Sequence, residues 1–265
     1  MLLVTGHQRS GTTLLGKLFH SHPEMAVTHE FGNLQYVGLA LMPYIRAIMA
    51  RVQHVDTRWG FVESTSKILS VDEAKWLKRN NQKLALRYLL NIARATVGTV
   101  DYAAIEKAMK LTFPEASVVG DKLPQYSRHL DKYVGQSGLA CVNIYRDCRD
   151  MTSSFLVKTR TDWAGQPWLA KCDTATKIAA RWVRRIDMME RLDDQLYNIR
   201  YEELMTQPQK VLGQFGEWVQ IDSTQFDIDM IQPTSIGNYK QGLTQQELAE
   251  VMAVAGPTMA RLGYI

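Results

Sequence analysis

Cysteine is scarce in this 265-residue chain. Cys141, Cys148 and Cys172 make an odd count with no CxxC pair. That excludes a disulfide framework and a cysteine-based zinc site, and predicts free thiols in a reducing compartment. Long apolar runs are missing too. The longest, YVGLALMPYIRAIMA, is interrupted by Pro43 and Arg46 and is too short and broken to span a bilayer. Charge of one sign is lacking: 31 Lys and Arg stand against 27 Asp and Glu, a net charge of +4. So small a surplus suits an anionic ligand but not a nucleic-acid surface. A strand-like LLVTG begins at residue 2 and leaves no stretch for a signal peptide. The expectation is a soluble cytoplasmic protein.

What is present reads as one globular α/β domain over residues 1–265, 46% apolar and 22% charged, without repeats. LLVTG, MAVTHE, ASVVGDK, GLACVNIYRD and the start of LYNIRYEEL read as strands. Helical periodicity marks TTLLGKLFHSH, much of 33–117, MTSSFLVKT, TKIAARWVRRIDMMERL and the tail from Thr244. Such alternation predicts a mainly parallel central sheet with helices on both faces and ligands at the C-terminal strand ends.

The first strand runs into GHQRSGTT, almost a nucleotide-binding phosphate loop. Gly6, Gly11 and Thr13 have the required spacing, but Thr12 stands at the lysine position. Backbone N–H groups and a helix N-terminus bind an anion without that lysine. Ser10, Thr12 and Thr13 add hydroxyls, and Arg9 adds a planar cation suited to oxyanions. No strand ends in an acidic run of the kind that holds magnesium; Asp121 comes only after Gly120. The loop therefore reads as a phosphate or sulfate site without magnesium chemistry, with a ligand-free glycine turn as the alternative. A second anion motif, YRDCRDMTSSF, follows the clearest strand and sets Arg146 eight residues before Ser154. Alone it reads equally well as a salt-bridged cluster. Paired with the loop, it implies a ligand with two separated anionic groups.

This combination resembles the sulfotransferase family, whose donor is 3′-phosphoadenosine-5′-phosphosulfate (PAPS) and whose product is the 3′,5′-bisphosphate (PAP). QRSGTTLLGKLFHSHPEM is similar to the family's 5′-phosphosulfate loop, IYRDCRDMTSSF to its 3′-phosphate motif, and GDKLPQY to its Lys-x-Pro segment. IRYEEL and IGNYKQGL resemble later elements, with Tyr239 where the family has tryptophan. The resemblance implies a P-loop-like sulfotransferase fold and in-line sulfuryl transfer to a hydroxyl or amine, with no metal. Arg9, Ser10, Gly11, Thr12 and Thr13 would hold the 5′ side; Arg146, Ser154 and Lys240 the 3′-phosphate. Lys122 would donate to the leaving group. Tyr201 would line the nucleotide cleft, a buried strand-end role being the alternative.

The spacing to THEFGN is closest to the tyrosylprotein and carbohydrate branch, where a glutamate acts as base. Glu30 matches it, with His29 as the alternative. The acceptor would be a small molecule, carbohydrate or peptide. The helical insertion 33–117 would meet it, and Tyr36, Tyr44, Trp59, Trp76 and Tyr88 there fit either an aromatic pocket or ordinary packing. His7, His22, His54 and His129 read as structural or surface residues. Two rivals stand: a small-molecule kinase, opposed by Thr12, and a catalytically degenerate nucleotide-binding interaction module.

Overall fold

Five short apolar runs build the sheet in a computed structural model that describes residues 1–53, 71–233 and 235–265, side chains at 52–53 and 71–79 aside. His54, Trp59 and the Trp76 side chain lie outside the described residues. β1 (Leu2–Gly6), β2 (Met25–His29), β3 (Val118–Lys122), β4 (Ala140–Tyr145) and β5 (Leu196–Arg200) are all parallel, in the order β2-β3-β1-β4-β5. β1 shows why the central strands are rich in apolar residues: both its faces are covered. Leu3 joins Ala26, Val119 and Cys141 in one core cluster. Leu2 and Val4 join Val27, Val142 and Ile144 in the other.

α1 (Thr12–Ser21) covers the second cluster. α2 (Leu41–Gln53), α3 (Val71–Ala95) and α4 (Tyr102–Thr112) contribute to the first; Asp101 caps α4 by accepting from the Ala104 N–H at 2.7 Å. α5 (Cys148–Arg160), α6 (Ala175–Arg191) and the tail helix α10 (Gln245–Arg261) share a third cluster around Trp182. Between them lie α7 (Tyr201–Thr206), α8 (Pro208–Val219) and the short α9 (Tyr239–Gly242). The sequence reading assigns no element to α8, which starts on a proline and buries Val211, Leu212 and Phe215. Among the described residues no helix is long and apolar enough to cross a membrane. All three cysteines are free and buried.

Register positions the site. Val4 of β1 lies opposite Lys122 of β3 and Val142 of β4, and His29 of β2 lies opposite Lys122. The ends of β1, β2, β3 and β4 therefore open on one edge of the sheet, at the reversal of strand order where such folds bind ligands.

Candidate functional site

The loop after β1 is shaped by its two glycines. A Cβ at Gly6 would lie 2.3 Å from the Ile144 carbonyl oxygen. Gly11 has φ +93°, and a Cβ there would meet the Tyr201 ring at 2.5 Å. Between them Arg9 takes φ +72°, a left-handed conformation rare outside glycine. α1 then begins at Thr12 without a side-chain cap, so its first N–H groups face the sheet edge. Ser10 Oγ is buried with no hydrogen-bond partner among the described residues.

Arg146, just past β4, closes over this loop. Its Nη1 donates to the Arg9 carbonyl at 3.3 Å, its Nη2 to the Ser235 carbonyl, and its Cζ lies 4.4 Å over the Tyr201 ring. Its buried Nε has no partner among the described residues. Arg9 Nε donates to Ser154 Oγ at 3.0 Å, so the two motifs share one set of contacts. Burial and the neighbouring Arg146 push the Arg9 guanidinium below its usual range. Two guanidiniums pressed together in this way attract an anion.

Asp150 accepts from the Gly237 and Tyr239 N–H groups at 2.8 and 2.9 Å, tying the 237–239 turn to α5. Arg149 pairs with Asp147 at 2.6 Å and lies over the Tyr239 ring. Lys240, the next residue, is exposed.

Across the edge, Lys122 Nζ contacts Glu30 Oε1 at 2.8 Å. The lysine is fully buried and the glutamate nearly so. Burial pulls the Lys122 ammonium below its usual range, while Glu30 opposes the shift. His29 Nε2 lies 3.4 Å from Lys122 Nζ. Burial first, and the Lys122 charge second, push His29 down to about 2. It stays neutral at ordinary pH.

Two residues whose roles the sequence reading misses hold this glutamate. Asp121 is wholly buried. It accepts from Thr28 Oγ1 at 2.5 Å, the Phe31 N–H at 3.1 Å, the Gly32 N–H at 2.9 Å and the Tyr126 hydroxyl at 2.6 Å. Arg51 reaches from α2 to the carbonyls of Glu30 and Phe31 at 2.8 and 2.7 Å. Held from both sides, Glu30 adopts φ +57°, strain of a kind that surrounding structure must enforce. Gly16 of α1 gives the Lys122 stem its path: a Cβ there would lie 3.1 to 3.3 Å from three of its carbons.

A cleft of about 490 Å³ joins these parts, lined by Arg9, Thr12, Thr13 and Glu30 on one side and by Gln125, Arg128, Trp163 and Trp168 on the other. Trp163 stands edge-on to Trp168 and to Phe155, with centroids 5.3 and 5.1 Å away. The cleft aromatics thus follow α5. Tyr44 and Tyr88 of the helical insertion are fully buried in the core, their hydroxyls 2.6 Å apart. The overlooked signal is TDWAGQPWLA, two tryptophans about a Gly-Gln-Pro turn directly after a motif helix.

A model of the sulfotransferase family matches residues 2–225. Among solved structures, the chain is similar to the sulfotransferase domain from the curacin biosynthetic pathway (TM-score 0.55, 13% identity, covering 97% of this chain and 96% of that one). It is also similar to sulfotransferase STF9 from Mycobacterium avium (TM-score 0.50, 15% identity, covering 98% and 76%). At these identities the likeness is one of fold. No curated protein matches the sequence.

Proposed function

Since the chain belongs to the sulfotransferase family, we propose that it moves a sulfuryl group from PAPS to an acceptor hydroxyl or amine, in line, with Glu30 as general base. The observation that carries this reading is the buried Glu30–Lys122 pair at 2.8 Å, on the same cleft as an uncapped helix N-terminus.

The residues fit such a donor. Ser10 Oγ and Arg146 Nε are buried polar atoms without partners among the described residues, one on each anion motif. The uncapped N–H groups from Thr12 suit the 5′ side, with Arg9 as the cation the missing lysine would have supplied. Arg146 suits the 3′-phosphate, with Ser154 of α5 and the exposed Lys240 of α9 as its further donors. Tyr201, packed on Gly11 beneath Arg146, floors the nucleotide cleft. When bound, PAPS supplies a sulfuryl group on a phosphate leaving group, with PAP as product.

Glu30 Oε1 takes the acceptor proton as the attack proceeds, a step that contributes roughly 10²–10⁴ in rate. Lys122 Nζ donates where negative charge builds on the leaving oxygen, inside a dry pocket where such donors act strongly. Trp163 and Trp168 give a planar or apolar acceptor body a surface, whether small molecule, carbohydrate or peptide. A kinase reading has no observation in its favour, since Thr12 stands where its lysine would be.

Calorimetry without metal tests the proposal. PAP is expected to bind more tightly than ATP, and Arg146→Ala to weaken PAP by about 10- to 100-fold while leaving adenosine-5′-phosphate nearly unchanged, as for loss of a charge-assisted bond. A preference for ATP that appears only with magnesium overturns it.

A further inference from the structure

Behind the cleft lies a second cluster of positive charge that the mechanism does not use. Arg181 and Arg185 of α6 and Arg128 of the 3-10 turn Pro124–Lys132 line one small hollow with His7, Gln8 and Gln125. Gln8, Gln125 and Arg128 also line the main cleft, so the hollow adjoins it as a neighbouring branch of the same surface.

The cluster is unfavourable as it stands. Arg181, Arg184 and Arg185 repeat at i, i+3 and i+4, a like-charge spacing that weakens a helix. α6 needs none of them for its core face, which is Ile178, Trp182, Ile186 and Met189. Among the described residues no carboxylate lies within ion-pairing distance of Arg128, Arg181 or Arg185. Burial and the mutual repulsion of the guanidiniums push Arg185 down to about 10. His7, its Nδ1 2.8 Å from the Gln8 carbonyl, is driven by burial to about 3 and adds no charge. Gln125 Oε1 is buried without a partner among the described residues.

We infer that this branch is a subsite for an oxyanion carried by the acceptor, so that the enzyme sulfates hydroxyl compounds that are already anionic. The inference rests on the sulfotransferase reading. The acceptor hydroxyl meets Glu30, its body lies along Trp163 and Trp168, and its anionic end reaches past Gln125 to Arg128, Arg181 and Arg185. Planar guanidiniums suit carboxylate, ester sulfate and ester phosphate alike. The hollow's volume, about 10 Å³, admits one water-sized group, so a single oxygen of the anion enters it while the rest stays in the main cleft.

The test uses the full chain saturated with PAP, which removes the donor anion sites from competition. Benzoate, phenyl sulfate, phenyl phosphate and neutral benzamide are titrated by calorimetry into wild type, Arg181→Gln/Arg185→Gln and Arg128→Gln. Arg128 is exposed, so its replacement leaves folding intact. At least one anionic probe is expected to bind wild type tenfold or more tightly than benzamide, and both variants to erase that preference while PAP affinity holds. The tightest probe identifies the oxyanion. Equal binding of benzamide and all three anions, or a preference that survives both variants, overturns the subsite. If PAP itself fails to bind wild type, the donor reading falls instead, and the same titrations without PAP still decide the cluster by its dependence on the arginines.

Discussion

Gly16→Ala separates stability from catalysis at this site. In a helix interior, alanine is favoured over glycine by about 1 kcal/mol. On propensity alone the variant should be more stable. The new methyl, however, would lie 3.1 Å from Lys122 Cγ, 3.2 Å from Cβ and 3.3 Å from Cε. Those atoms belong to a fully buried side chain whose head is fixed by Glu30 at 2.8 Å. Overpacking of this kind costs about 1–3 kcal/mol. The two effects nearly offset, and the variant should unfold within about 2 kcal/mol of wild type. Relief requires Lys122 to shift by a few tenths of an ångström. A misplacement of about 1 Å can cost 10²-fold in rate, so turnover should fall by about tenfold. Denaturant unfolding reads the first quantity and PAP release the second. PAP affinity separates two routes of relief: it holds if Lys122 moves and falls if α1 moves. Full turnover with unchanged affinity would refute the idea that Gly16 makes room for this lysine.

Glu30→Gln should lower turnover by about 10²–10⁴ while PAP binding by calorimetry persists; undiminished turnover would transfer the base role elsewhere. Asp121→Asn places an amide N–H₂ against two donors whichever way it turns, because each carboxylate oxygen accepts two hydrogen bonds. A loss of about 2–4 kcal/mol in urea unfolding is expected, with slower turnover as Glu30 loosens. His7 has its pKa depressed from 6.5 to about 3 in the fold, so between those values the unfolded chain binds the extra proton. Stability should therefore fall as pH drops through this window, by about 1.4 kcal/mol per unit from this group, and His7→Gln should flatten that slope in urea titrations at pH 7, 6 and 5.

β1 to β4 were readable because they are buried along nearly all their length and so are rich in apolar residues, whereas β5, half-buried at four of its five positions, shows that signal only in part. α1 and α4 were readable from the helical spacing of their apolar residues, α1 also from the glycine loop before it. The anion motifs declare themselves by local spacing. The rest of the site does not, because its contacts span the chain. Glu30 and Lys122 are 92 positions apart, Arg9 and Ser154 145. Only a family resemblance suggested the first pair, and nothing local suggested the second contact. Asp121 seemed notable for failing to resemble a magnesium ligand, whereas its buried oxygens secure the Glu30 turn. Gly16 looks like a helix imperfection until the neighbouring strand is in place. The tryptophans of the cleft belong to no motif at all.

The contact between Glu30 and Lys122 also bears on kinetic order. At 2.8 Å each group is the other's counter-ion, so on the proposed sulfotransfer reading the resting site would hold its base engaged and its cation neutralised. An acceptor that arrives first would meet a carboxylate with one oxygen already paired. A donor that draws Lys122 toward its leaving oxygen releases the carboxylate in the same motion. On that reading substrate addition is expected to follow a sequence, donor before acceptor, which initial-rate kinetics with PAP as inhibitor would check. A side chain of one strand and the residue after its neighbour would then act together as a gate.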